Sequence, residues 1–186
     1  MIRPTGVVIR QADAARDAPA CAAIYAPFVT GSYVSFEEDP PSAAEFARRI
    51  NQVSQHYPWL VADDDGAVIG YAYACAHRER AAYRWATDVA VYVAEQARRR
   101  GVGRALYETL LRLLRRQGFQ VACAGVTLPN PASVALHEAC GFQPVGIYQR
   151  IGWKEGGWRD VGWWQLELIP AGDGVPPEPG PPARLD

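Results

Sequence analysis

The chain has 186 residues, 49% of them apolar and 21% charged, with a formal net charge of −1. That length and composition suit one globular domain with room for a sizeable core. The charge balance supplies no basic field for nucleic acid or an anionic membrane surface, and no apolar run is long enough to cross a bilayer. The opening Met1-Ile2-Arg3-Pro4-Thr5-Gly6 lacks the apolar core of a signal peptide. Cys21, Cys75, Cys123 and Cys140 are too far apart for a zinc site or a dense disulfide framework. Reduced thiols and a cytoplasmic location are therefore expected.

In chain order, Val7-Val8-Ile9-Arg10 reads as a first strand. Asp13 then begins an Ala-rich segment ending near Pro27. Arg48 to Gln55 completes a second helix, closed off by Pro58. Trp59-Leu60-Val61-Ala62 and Val68-Ile69-Gly70-Tyr71-Ala72-Tyr73 read as partner strands around the turn Asp63-Asp64-Asp65-Gly66. Asp88 to Val93 is apolar enough for a central strand.

A helix follows from about Gly103 to Gln117, with Leu106, Leu110, Leu113 and Leu114 on one face and Glu108, Arg112, Arg115 and Arg116 opposite. Gly118 ends it, Val121 to Val126 makes another buried strand, and Pro131 to Cys140 a short helix stopped by Gly141. Phe142 to Gly152 and Val161 to Leu168 read as a closing antiparallel pair. From Pro170 to Asp186 the chain is rich in Pro, Gly and Ala, and a disordered tail is expected.

The sharpest motif is Arg98-Arg99-Arg100-Gly101-Val102-Gly103-Arg104, between a buried strand and an amphipathic helix. Glycines there let successive N–H groups converge at a helix N-terminus, where unpaired donors and the helix dipole attract phosphate. Arginines add charge-assisted hydrogen bonds. A dinucleotide fingerprint would need a third glycine where Leu106 stands, and no Gly-Lys followed by Ser or Thr is present. Taken alone, the motif is equally compatible with a solvated basic turn.

The strand Val89–Val93, then Arg98, Gly101 and Gly103, then Asn130 and Leu136 ahead of Gly141-Phe142, resembles the GCN5-related N-acetyltransferase (GNAT) superfamily. Further stretches are similar to the phosphinothricin and methionine sulfoximine acetyltransferases: Tyr57–Ala62, Ala82–Trp85, Leu128-Pro129-Asn130, His137-Glu138-Ala139 and Gly157–Leu166. The similarity runs from about Val8 to Leu168.

The resemblance implies an α/β (α+β) fold over residues 1–169, with a mixed, mostly antiparallel seven-stranded sheet splayed at its middle and flanked by helices. Acetyl-CoA would enter the opening. Backbone of Val91, Tyr92 and Val93 would pair with the pantetheine amides. Arg98 matches the hallmark, while Arg99, Arg100, Gly101, Val102, Gly103 and Arg104 would hold the pyrophosphate. Asn130 would bond the coenzyme near its thiol arm, or simply cap the short helix. A homodimer is implied as well.

Acetyl transfer needs a neutral amine, a donor for the developing oxyanion and a proton for the leaving thiolate. Asp88 is the candidate base, facing the cleft from the central strand. Related enzymes carry Glu there, so the shorter Asp favours a water relay; the alternative is an ordinary strand-end carboxylate. His137 stands where the superfamily usually has a Tyr acting toward the thiolate, and the phosphinothricin-type enzymes carry His. His56 is expected at the surface, and His77 only lines the site. No grouping has metal-ligand spacing, so no metal is expected.

The acceptor implied is a small amino acid analogue of the phosphinothricin or methionine sulfoximine type. Arg78 and Arg80 match a basic pair, Tyr83 a tyrosine and Phe36 an aromatic of those enzymes, while Ser35 replaces an Asn. An acetylator of protein amines or polyamines, and a silent acetyl-CoA-binding module, are the competing readings.

Overall fold

The computed structural model describes residues 6–185. The first five residues, read above as lacking a signal-peptide core, and Asp186, the end of the expected tail, lie outside the described residues. The elements are β1 (Val7–Gln11), α1 (Ala14–Thr30), α2 (Ala43–Val53), β2 (Trp59–Asp64), β3 (Ala67–Ala76), β4 (Ala86–Val93), α3 (Val102–Gln117), β5 (Val121–Leu128), α4 (Pro131–Ala139), β6 (Gln143–Lys154) and β7 (Gly157–Glu167). Seven strands form one sheet in the order β1-β2-β3-β4-β5-β7-β6. Every neighbouring pair is antiparallel except β4–β5, which is parallel.

That parallel pair is also short. Only Ala86, Thr87 and Asp88 find partners, in Val121, Ala122 and Cys123, so the rest of β4 and β5 is unpaired along the facing edges. The sheet forks there, as the resemblance implies.

Period-2 alternation sends side chains to two cores. Leu60, Ala62, Ala72, Ala74 and Val89 pack with Leu106, Tyr107, Leu110, Leu113 and Leu114 of α3. Trp59, Val61 and Tyr71 pack with Ile24, Tyr25, Phe46 and Ile50 of α1 and α2. The four leucines expected on the buried face of α3 are fully buried, and each such side chain contributes about 1.5–3 kcal/mol. Gly118, at φ +95°, ends α3 with its N–H bonded to the carbonyls of Leu114 and Arg115. The buried carboxylate of Asp17 accepts two bonds from the Arg10 guanidinium, at 2.6 and 2.8 Å, which ties α1 to β1.

Some boundaries move. Helix α1 continues through Pro27 to Thr30, because Val29 is fully buried and its packing outweighs the missing proline donor. Helix α2 is complete at Val53 rather than Gln55. Strands β6 and β7 run further toward each other than expected and meet at Glu155-Gly156, both at positive φ. That is the hairpin turn whose twist matches the strands.

Residues 170–185 contain no helix or strand, yet they are not detached from the body. Trp85 Nε1–H donates to the Pro177 carbonyl at 2.9 Å, Gly180 N–H to the Gln117 carbonyl at 2.7 Å, and Gln11 Nε2 to the Ala183 carbonyl at 3.3 Å. Ala183 and Leu185 pack against the α3-side core. The few apolar side chains of this segment find a surface that composition alone does not reveal.

Candidate active site

The fork sets the geometry. β4 is bonded to β3 along one edge, from Thr87 to Val93, while its other edge beyond Asp88 has no strand partner. Backbone donors and acceptors of Val89–Val93 on that edge thus face the opening, available to a ligand that enters as a strand would. Side chains of Val91 and Val93 turn toward α3, and Tyr92 toward α1, where its ring meets those of Tyr25 and Phe28.

At the mouth of the fork stands the N-terminus of α3. Gly101 is the N-cap at φ +81° and supplies no side-chain cap, so the first N–H groups of α3 lack that partner. A Cβ at Gly101 would touch nothing within 4 Å; its glycine answers to φ rather than to space. At Gly103 the reverse holds: a Cβ would stand 3.2 Å from Leu136 and 3.6 Å from Val93, in the gap between β4 and α4.

The arginines differ from one another. Arg100 is paired with Asp64 at 2.9 Å, and Arg104 with Glu108 at 2.9 Å. The Arg98 guanidinium lies 5.3 Å from the centre of the Phe28 ring. Arg99 takes a positive φ of 59° and has no ion pair among the described residues.

Asp88 sits at the vertex, on the α1/α2 face. Its Oδ1 lies 2.6 Å from His77 Nδ1. Burial pushes the carboxyl pKa up, and the hydrogen bond and charge of His77 work against that rise. Cys123 Sγ completes a group whose donor atoms all lie within 4.8 Å, the one grouping among the described residues that could hold a metal ion. Burial pushes the Cys123 thiol up to about 11, so it is protonated near neutrality, and the hydrogen bond already accounts for the closeness of the other two.

His137 is not brought together with Asp88. It is buried on the opposite side of the sheet, with Nδ1 2.8 Å from the Ser133 carbonyl and Nε2 2.9 Å from the hydroxyl of the fully buried Tyr107. Burial lowers its pKa. The neutral ring donates from Nδ1 and accepts at Nε2, so both nitrogens are occupied. Asn130 caps α4, its Oδ1 accepting from Ser133 N–H at 3.1 Å. The side-chain amide donors are left over for other partners.

Arg78, Arg80 and Tyr83 line one cavity of about 850 Å³ together with Cys75, His56 and His77. The Arg78 guanidinium lies 5.9 Å from the Trp163 ring, which also lies against Gly125. Phe36 does not line this cavity; its ring fills the space above Gly152 of β6, where any Cβ would overlap it. Ser35 is buried, bonded at 2.6 Å to the Tyr25 hydroxyl.

Sequence reading placed His77 only in the lining of the site, without its contact to Asp88. The signal for His77 was the hairpin itself: Cys75 is paired across β3–β4 with Asp88, so a residue two further along stays beside that carboxylate.

Comparison with known proteins agrees with the geometry. Residues 9–163 match the model of the acetyltransferase (GNAT) domain. The chain is 40% identical to the phosphinothricin N-acetyltransferase of Streptomyces viridochromogenes, over 93% of its own length and 92% of that enzyme's. It is 35% identical to an L-methionine sulfoximine/L-methionine sulfone acetyltransferase of Pseudomonas aeruginosa, over 87% and 95%. A phosphinothricin acetyltransferase from Sinorhizobium meliloti, solved in complex with AcCoA, superposes with a TM-score of 0.88 at 38% identity, covering 94% of this chain and 95% of that one.

Proposed function

The chain belongs to the GNAT acetyltransferase family, and from that premise we propose that it acetylates the amino group of a small amino acid analogue of the phosphinothricin or methionine sulfoximine type by direct transfer from acetyl-CoA. The observation that carries this reading is the arrangement along the fork. A helix N-terminus without a side-chain cap, flanked by arginines, lies at its mouth, an unpaired strand edge leads inward, and a half-buried carboxylate stands at the vertex beside a cavity with two arginines.

In this reading the pyrophosphate lies on the N-terminus of α3 with Arg98 to Arg104 around it, and the pantetheine runs along Val91–Val93. The thioester then reaches the vertex, with the Asn130 amide donors near its arm. Arg78 and Arg80 hold the acceptor's anionic groups, and Tyr83 closes one side. The vertex carboxylate of Asp88 drives removal of the ammonium proton, which leaves a neutral nitrogen to attack. Phe36 acts from the β6 side, as a wall rather than a direct contact. His137 acts through Tyr107 and the start of α4, keeping that wall of the cleft in place.

Arg78 and Arg80 outweigh the one carboxylate of the cavity lining, Glu79, which favours an anionic partner over a polyamine. No helix of the described residues is long and apolar enough to cross a membrane; a cytoplasmic enzyme without a metal is the simplest fit to the chemistry. A homodimer is supported by β6 and β7, where Val145, Ile147, Ile151, Trp153 and Trp158 are all more than half exposed.

A panel assay tests the assignment by comparing phosphinothricin, methionine sulfoximine, methionine sulfone, free amino acids, spermidine and a lysine peptide at fixed acetyl-CoA. The highest kcat/KM is expected for one of the first three. Preference for the peptide or spermidine would overturn the acceptor class, and coenzyme binding without turnover on any amine would leave a silent module.

A further inference from the structure

We propose that His77 is the general base that meets the amine, and that Asp88 acts through it as the residue that orients the ring. This deepens the acceptor reading above and rests on it. Three observations carry it. Asp88 Oδ1 lies 2.6 Å from His77 Nδ1, closer than most charge-assisted N–H···O contacts. A carboxylate can only accept, so Nδ1 carries the proton and Nε2 carries the lone pair. Among the described residues Nε2 has no hydrogen-bond partner, and the imidazole lines the same cavity as Arg78, Arg80 and Tyr83.

The ring is also held in place. Tyr83 packs edge-on at 5.7 Å between centroids, and Trp163 does the same from β7 at 6.1 Å. An imidazole fixed by a carboxylate on one nitrogen and open on the other is the arrangement that makes histidine a base in hydrolases. It also answers the reach problem at the vertex, because the short Asp side chain is extended by a five-membered ring.

Several charged and titratable groups face His77. Asp88 of β4 and Cys123 of β5 stand on the vertex side, and Tyr83 stands beside the ring. Cys75 of β3, the neighbouring Arg78, and His56, Glu79 and Arg80 line the same cavity. The ring thus has the Asp88 carboxylate on one nitrogen and a mixed set of charges, Arg78, Glu79 and Arg80, around the cavity it lines.

The proton balance is simple. R–NH3+ gives one proton to Nε2, and the imidazolium passes it to water in the cavity. The neutral nitrogen forms the C–N bond as the C–S bond breaks. Its second proton ends on the departing sulfur, so each turnover yields amide, free thiol and one released proton.

The test compares kcat/KM against pH for the full chain and its His77→Asn, His77→Ala and Asp88→Asn variants, with phosphinothricin as acceptor. Asn keeps a donor for Asp88 but cannot take a proton. His77→Asn should lower kcat/KM by about 10²-fold or more and remove the acid-side limb of the profile. Acetyl-CoA affinity and melting temperature should stay near wild type. Added imidazole should restore part of the activity of His77→Ala and none of that of Asp88→Asn, a rescue that a purely structural role would not show. An acid-side limb that persists in His77→Asn and disappears in Asp88→Asn overturns the proposal and returns the base to Asp88 alone. A wild-type chain that binds acetyl-CoA but turns over no amine overturns the acceptor reading and this one together.

Discussion

Gly101 and Gly103, two residues apart in one motif, should fail in opposite ways when substituted. Gly101 has φ +81° and open space around its missing Cβ. Gly101→Ala therefore places an L-residue in the left-handed region, at a cost of about 1–2 kcal/mol. For a domain of this size that corresponds to a melting point lower by about 2–8 °C. Gly103 has no positive φ, and its Cβ would meet the end of the flexible Leu136 side chain at 3.2 Å.

Gly103→Val should therefore change the unliganded melting point by less than Gly101→Ala does, since Leu136 can yield by a few tenths of an ångström while glycine's low helix propensity is relieved. The added methyls, however, occupy the gap between Val93 and Leu136 through which the proposed coenzyme path runs. Acetyl-CoA affinity should fall at least tenfold, about 1.4 kcal/mol. Melting with and without acetyl-CoA separates the two effects. At 100 times Kd a ligand adds about 2.7 kcal/mol, and after a tenfold loss of affinity only about 1.4, so wild type and Gly101→Ala should both show a full upward shift that falls to about half or less in Gly103→Val. A full ligand-induced shift in Gly103→Val would show that the coenzyme does not use this cradle.

In the proposed acceptor site, removing one charged donor costs about 1.5–3 kcal/mol, so Arg80→Ala should raise KM for phosphinothricin about 10- to 100-fold while kcat changes less, as steady-state kinetics would show. His137 has its pKa lowered in the folded state. The unfolded chain therefore takes up a proton first as pH falls, and stability present above the unfolded value of about 6.5 is lost below it. Urea melts from pH 7.5 to 5 should show that decline, and His137→Gln should flatten it. Ending the chain after Ile169 removes the bonds from Trp85 and Gln117 to residues 177–180. The melting point should fall by several degrees, and an unchanged value would mean that the segment contributes nothing to the fold.

Much of the architecture can be read from pattern alone. The leucine stripe of α3, the apolar run of β4 and the glycine that ends α3 announce themselves, because each satisfies a local periodicity or a backbone requirement. What escapes is whatever depends on contacts distant in sequence. Nothing near Pro27 announces that Val29 will be buried deeply enough to carry α1 onward. The docking of Ala183 and Leu185 depends on a core surface assembled from residues far away in the chain. At the candidate site the glycine–arginine motif marks the start of α3, but the His77–Asp88 contact comes from the β3–β4 hairpin. The locked state of His137 comes from Tyr107, thirty residues earlier on another helix.

The joint between β4 and β5 has a mechanical meaning. One half-sheet holds β1 to β4, the other β5 to β7, and three residue pairs join them. Such a joint is a pivot, and displacement about a pivot grows with distance from it. Val93 is five residues beyond Asp88, about 16 Å at strand spacing. An angular fluctuation of about 4° moves the mouth by roughly 1 Å but atoms one residue from the vertex by only about 0.2 Å. A misplacement of about 1 Å at reacting atoms can cost a hundredfold in rate. The lever arm thus assigns the large excursions to the mouth, where the proposed coenzyme path begins, and keeps His77 and Asp88 at the still point.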